Sequence, residues 1–155
     1  MTELETFYYT LTTAAQQQDL KTVSTLIDPQ FVIHYDSSLP FGGTYNGLTG
    51  FLDVVAQLSS TLLDLSTTQL NYMEDANGEQ YTLIIALTAK VGGRRVTTHV
   101  SELWTVRAGK AVEARIWYWG ASGMFDQQAD YAESRTGPAR ALDSQAMEPA
   151  TTAAR

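Results

Sequence analysis

The sequence predicts an α+β domain in which three N-terminal helices pack on one face of a curved, mainly antiparallel sheet. Apolar residues recur at helical spacing up to about residue 60 and then alternate with polar ones among β-forming residues. The alternating runs are separated by Asn77-Gly78, Gly92-Gly93 and Ala108-Gly109, and Asn-Gly and Gly-Gly pairs are strong hairpin signals. With 155 residues, 44% hydrophobic and 17% charged, the chain can bury the core of a single domain.

Leu4, Phe7, Tyr8, Leu11 and Ala15 form one stripe and predict a helix over roughly residues 3 to 17. Asp19 then caps a short second helix whose stripe is Leu20, Val23, Leu26 and Ile27. Asp28-Pro29 ends it, because the residue before proline disfavours helical angles. "FVIHYD", residues 31 to 36, reads as a strand at a sheet edge, followed by the loop "SSLPFGGTYNG". Leu48, Phe51, Leu52, Val55 and Leu58 predict the third helix. A four-strand meander follows in "LDLSTTQLNYM", "EQYTLIIALTAKV", "RRVTTHVSELWTV" and "KAVEARIWYW". Residues 1–125 thus read as one domain, and residues 126–155 as a short helix near 125–134 and a loose polar tail.

Charge and composition exclude several functions. The formal net charge is -7 and the only adjacent basic pair is Arg94-Arg95, which argues against nucleic acid and anionic membranes as partners. Without cysteine there is no disulfide, thiolate nucleophile or thiolate metal site. No basic leader region opens "MTELETFYY" and no apolar run reaches membrane-spanning length, so a cytoplasmic protein is expected. Neither a phosphate-binding loop nor a nucleophile elbow is present, and no metal or other cofactor is expected.

A sheet that curls under three helices leaves a hollow, and strand alternation nominates its lining. His34 and Asp36 share one face of their strand, as do His99 and Ser101 on the penultimate strand. An imidazole beside a carboxylate in apolar surroundings suits proton transfer, because burial raises a carboxyl pKa and a nearby cation lowers it. Asp36 is therefore the candidate base, with His34 and His99 as catalytic partners. Tyr8, Phe51 and Ser101 are candidates for substrate contact. The last strand leaves its lining face open, so Trp117 and Trp119 on one side and Tyr118 on the other are all candidates. Core packing would account for the same aromatics.

The order of elements, with "QQQDLKTVSTLIDPQFVIHYD", "LPFGGTYNGLTGFLDVV" and "SELWTVRAGKAVEARIWYW", resembles the nuclear transport factor 2-like (NTF2-like) superfamily over roughly residues 4 to 121. Within it the likeness is to SnoaL-like polyketide cyclases and ketosteroid isomerases. The resemblance implies a cone-shaped, cystatin-like α+β fold, a deep apolar pocket and a homodimer. It also implies an apolar carbonyl compound, such as a polyketide or terpenoid, as substrate of a cofactor-independent isomerase, cyclase or dehydratase. Asp36 matches the isomerases' base by position, while their second oxyanion-hole acid falls on Ser101 and their tyrosine near Leu11, one turn from Tyr8. The cyclases' strand histidine corresponds to His99, and their last-strand acid to Trp119 or Gly120. A limonene-type epoxide hydrolase, for which Arg115 is available, and a protein that binds without turnover are the alternatives.

Overall fold

The computed structural model describes residues 1–125; the predicted helix near 125–134 and the tail beyond it lie outside the described residues. The first helix, α1, spans Glu3–Gln16, and Thr2 caps it by accepting a hydrogen bond from Glu5 N at 3.1 Å. Of the predicted stripe Leu4, Phe7 and Leu11 are buried, Tyr8 and Ala15 lie at its margin, and Ala14, which the spacing does not select, is buried as well. Asp19 caps α2, Leu20–Leu26, as expected from sequence, with its carboxylate 3.1 Å from Thr22 N.

Strand β1 then begins at Ile27 and runs to Tyr35. The second helix therefore ends before Ile27 rather than at Asp28-Pro29. Pro29 is accommodated inside the strand because the pairing register breaks between Ile27 and Val32, where no ladder hydrogen bond is required of it. The loop after β1 contains a short strand, β2 (Gly43–Asn46), that the sequence reading missed. It pairs antiparallel to β1 and takes the edge position, so "FVIHYD" is interior rather than an edge strand.

Helix α3, Gly47–Thr61, returns the chain over the sheet, burying Phe51 and Val54. Strands β3 (Leu63–Glu74), β4 (Gln80–Val91), β5 (Arg94–Arg107) and β6 (Lys110–Tyr118) follow, and a short helix α4 (Ser122–Phe125) ends the described residues. The meander is antiparallel throughout, while β1 joins it parallel to β6. The result is a six-stranded mixed sheet in the order β2-β1-β6-β5-β4-β3, not closed into a barrel. Two-residue turns at Gly92-Gly93 (φ +57° and +80°) and Ala108-Gly109 (φ +49° and +72°) have the positive angles that match strand twist.

One face of the sheet carries the core. Phe31, Ile33, Leu83, Val100 and Ala114 are almost wholly buried there, against Leu4, Phe7 and Leu11 of α1 and Phe51 and Val54 of α3. The other face is more polar, as an antiparallel sheet with one solvated side requires.

Candidate functional site

Between the inner face of the sheet and the helices lies a cavity of about 830 Å³. Its floor comes from residues of five strands: Ile33 and Tyr35 of β1, Ile116 and Tyr118 of β6, Val100, Glu102 and Trp104 of β5, Tyr81, Ile85 and Leu87 of β4, and Leu65 and Thr67 of β3. Tyr8, Leu11 and Thr12 of α1 and Phe51, Leu52 and Val55 of α3 form its roof. Such a lining, mostly apolar with a few polar groups, is what small-molecule sites present.

Glu102 is the one charged side chain among the described residues that line this cavity. It is partly exposed, and that exposure accompanies its place in the cavity wall. Trp104 Nε1 donates to Glu102 Oε2 at 2.8 Å. Burial pushes the carboxyl pKa up, and the indole hydrogen bond only partly opposes it. The phenols of Tyr8, Tyr81 and Tyr118 are raised too, first by burial and then by the charge of Glu102, and that of Tyr35 by burial, then by Tyr118 and Glu102. They therefore stay protonated through the neutral range as hydrogen-bond donors.

Rings hold this arrangement. Trp104 stacks on Phe31 at 6.0 Å and on Tyr81 at 6.1 Å, and Tyr81 stacks in turn on Tyr72 at 5.8 Å. Tyr8 meets Tyr81 edge-on at 5.9 Å. Tyr81 is 1% exposed, and its hydroxyl has no hydrogen-bond partner among the described residues. Leaving a buried donor unmade costs about 1–3 kcal/mol, so that hydroxyl needs an explanation.

The sequence-predicted residues divide by face. Tyr8, Phe51 and Tyr118 line the cavity as expected. His34, Asp36, His99, Ser101, Trp117 and Trp119 do not: β1, β5 and β6 turn the opposite set of alternate residues inward, and Asp36 and Trp119 lie just past the ends of β1 and β6. The expectation that the His34–Asp36 face lines the hollow is corrected on that ground. Asp36 is exposed beyond the end of β1, where Ser38 Oγ (2.6 Å) and Ser38 N (2.8 Å) donate to it and hold its carboxyl below the usual range. His34 sits on the outer face, with Nδ1 3.2 Å from Thr44 Oγ1 and Nε2 3.2 Å from Glu113 Oε1. Glu113 also holds Arg115, at 2.8 Å from its Nη2. His99 packs against Trp119, whose indole donates to Ser101 Oγ at 2.8 Å.

Sequence reasoning missed Glu102, although a signal was present. On β5 the face of Val96, Thr98, Val100, Glu102 and Trp104 is more apolar than that of Thr97, His99, Ser101 and Leu103. The apolar face turns inward, so the acid it carries is the one that meets the cavity.

A family model described as a SnoaL-like domain matches residues 7–114, from α1 into β6. The chain belongs to the SnoaL-like domain family. Solved structures share the fold of this SnoaL-like domain at low identity. An NTF2-like protein from Burkholderia pseudomallei superposes with a TM-score of 0.66 at 16% identity, covering 76% of this chain and 92% of that one. A protein of ketosteroid isomerase-like fold from Catenulispora acidiphila, in complex with trimethylamine, gives 0.60 at 14% identity, with 75% and 87% covered. TerC, co-crystallised with polyporic acid, gives 0.64 at 16% identity, with 84% and 97% covered. No curated protein sequence matches the SnoaL-like chain. No helix among its described residues is long and apolar enough to cross a membrane.

Proposed function

We propose that this SnoaL-like domain is a cofactor-independent enzyme of the isomerase, cyclase or dehydratase type, acting on an apolar carbonyl compound held in the cavity. The observation that carries the reading is Glu102: a single carboxyl, its pKa raised by burial, among phenols in an otherwise apolar hollow. A base tuned upward toward neutral pH serves proton transfer better than one fully ionised in water. The Glu102 carboxylate removes a proton from the carbon next to the carbonyl, and the C–H electron pair moves to the oxygen as an enolate. The phenols of Tyr8 and Tyr118, kept protonated by burial, are available to donate to that oxygen. The carboxylic acid then returns the proton to a different position of the substrate. TerC, a structural neighbour crystallised with the small molecule polyporic acid, is consistent with ligand binding in such a fold.

Deuterium exchange into 2-tetralone, a bicyclic apolar ketone, tests the reading by NMR in D₂O. We expect the protein to accelerate exchange and Glu102→Gln to lower the enzymatic rate by at least about 100-fold with 2-tetralone binding retained. Exchange at an unchanged rate in that variant removes Glu102 from the chemistry. Binding without any enzymatic exchange supports the second reading, a carrier of apolar ligands, which is favoured by the absence of a second carboxyl or imidazole among the described lining residues.

The partner expected from sequence, a second copy of this chain, belongs to the same proposal. Trp117 and Trp119 are about half exposed on the outer face, at 46% and 50%. Large apolar surface of this kind supports an interface.

A further inference from the structure

We infer that Tyr81 reads the oxygen of the bound molecule: its hydroxyl is held unpaired in the cavity wall until an acceptor atom of the ligand completes it. The inference rests on the cavity being a ligand site and goes beyond the assignment of Glu102. Tyr81 is the most buried of the phenols on the lining, and its hydroxyl has no hydrogen-bond partner among the described residues. Its position is firmly fixed, since the ring is stacked between Trp104 and Tyr72 and cannot swing to find a partner elsewhere. Burial keeps it protonated, so its O–H is available to donate.

Register places this donor beside the proposed base. Tyr81 pairs with Trp104 across the β4–β5 ladder, and Glu102 is the next inward-facing residue along β5. The two side chains are therefore diagonal neighbours on one face, close enough for the Glu102 charge to act on the phenol. Trp104 ties them together, stacking on one and donating to the other. The hydroxyl is buried, with the half-buried Tyr8 ring standing edge-on to the Tyr81 ring, so side-chain movement must accompany its contact with a ligand oxygen. A molecule whose carbonyl is taken by Tyr81 presents the adjacent carbon toward Glu102. Tyr81 is thus a specificity-determining residue that favours apolar rings bearing an acceptor oxygen over hydrocarbons of the same shape.

The test compares 2-tetralone with tetralin, which lacks only the carbonyl oxygen, by calorimetric titration of the full chain and of Tyr81→Phe. The wild-type protein is expected to bind the ketone at least about tenfold more tightly than the hydrocarbon, the size of one well-made hydrogen bond. Tyr81→Phe should erase that preference by weakening ketone binding alone. Its thermal midpoint without ligand should be unchanged or higher, because no protein hydrogen bond is lost. Equal affinity for the two probes in the wild type, or equal weakening of both in the variant, overturns the role given to Tyr81 while leaving the cavity as a ligand site. A lower thermal midpoint of ligand-free Tyr81→Phe shows that the hydroxyl has a structural partner and overturns it as well. Failure of both probes to bind overturns the ligand site itself, and with it this inference. Affinity is read without turnover, so loss of exchange activity in Glu102→Gln bears on the other proposal alone.

Discussion

At the scale of single residues, the contrast between Asp36 and Glu102 shows how environment rather than residue type makes a base. Asp36 is exposed and stabilised as an anion by two hydrogen bonds from Ser38, so its affinity for a proton is reduced. Glu102 has no cationic side chain among the described residues that line the cavity and is pushed the other way. The sign for stability follows. A carboxyl whose folded pKa exceeds its unfolded value contributes fully only below about pH 4.3, and stability is lost as pH rises through the folded value. Glu102→Gln keeps the acceptor for Trp104 Nε1 but carries no charge. We expect this variant to unfold at a higher temperature than the wild type near neutral pH, with the difference shrinking as pH falls toward 4; thermal melts across pH check it. Trp104→Phe removes the opposing hydrogen bond. It should move the acidic limb of any exchange activity to higher pH, as measured from a rate–pH profile.

At the scale of elements, the loop between β1 and β2 explains why the sequence pairs a strand with Pro40, Gly42 and Gly43. The loop doubles back, with Leu39 N donating to Asp36 O at 3.1 Å and Gly42 N to Leu39 O at 2.9 Å. A Cβ on Gly42 would stand 2.2 Å from Asp36 O, a backbone atom that cannot step aside. Leu39 and Phe41, buried beneath this loop, pack near Tyr35 and Tyr118 and so support one end of the cavity. Gly42→Ala should therefore destabilise the fold by roughly 1–3 kcal/mol, measurable by denaturant unfolding. Legibility in the sequence varied by element for a physical reason. Helices α1 and α3 and the meander strands carry many residues of one period, so their patterns are redundant. Strand β2 has four residues and no apolar alternation, and is specified by its pairing with β1. The α2–β1 junction was misplaced because Ile27 fits both a helical stripe and a buried strand position.

At the scale of the whole molecule, the open sheet leaves two surfaces with different character. The inner one is covered by helices around the cavity. The outer one presents Trp117 and Trp119 among His34, His99, Ser101 and Arg115, a mixed apolar and polar surface on a chain of net charge -7. If two copies meet there, light scattering will give twice the chain mass, and the double variant Trp117→Ser, Trp119→Ser will give the single mass with the cavity still able to bind 2-tetralone. A monomer in the wild type overturns that assembly without touching the site.

The sequence by itself determined the α+β class, the helix faces, the hairpins and which residues of each strand stand together. Periodicity is local, and two residues apart in a strand always share a side. Tertiary structure decided which side turns inward, with a hint in the sequence only on β5. That choice depends on apolar content summed over neighbouring strands and on what the helices cover, so it moved the candidate base from Asp36 to Glu102. The orphaned hydroxyl of Tyr81 belongs to the same level, since a missing partner becomes visible only when every neighbour is in place.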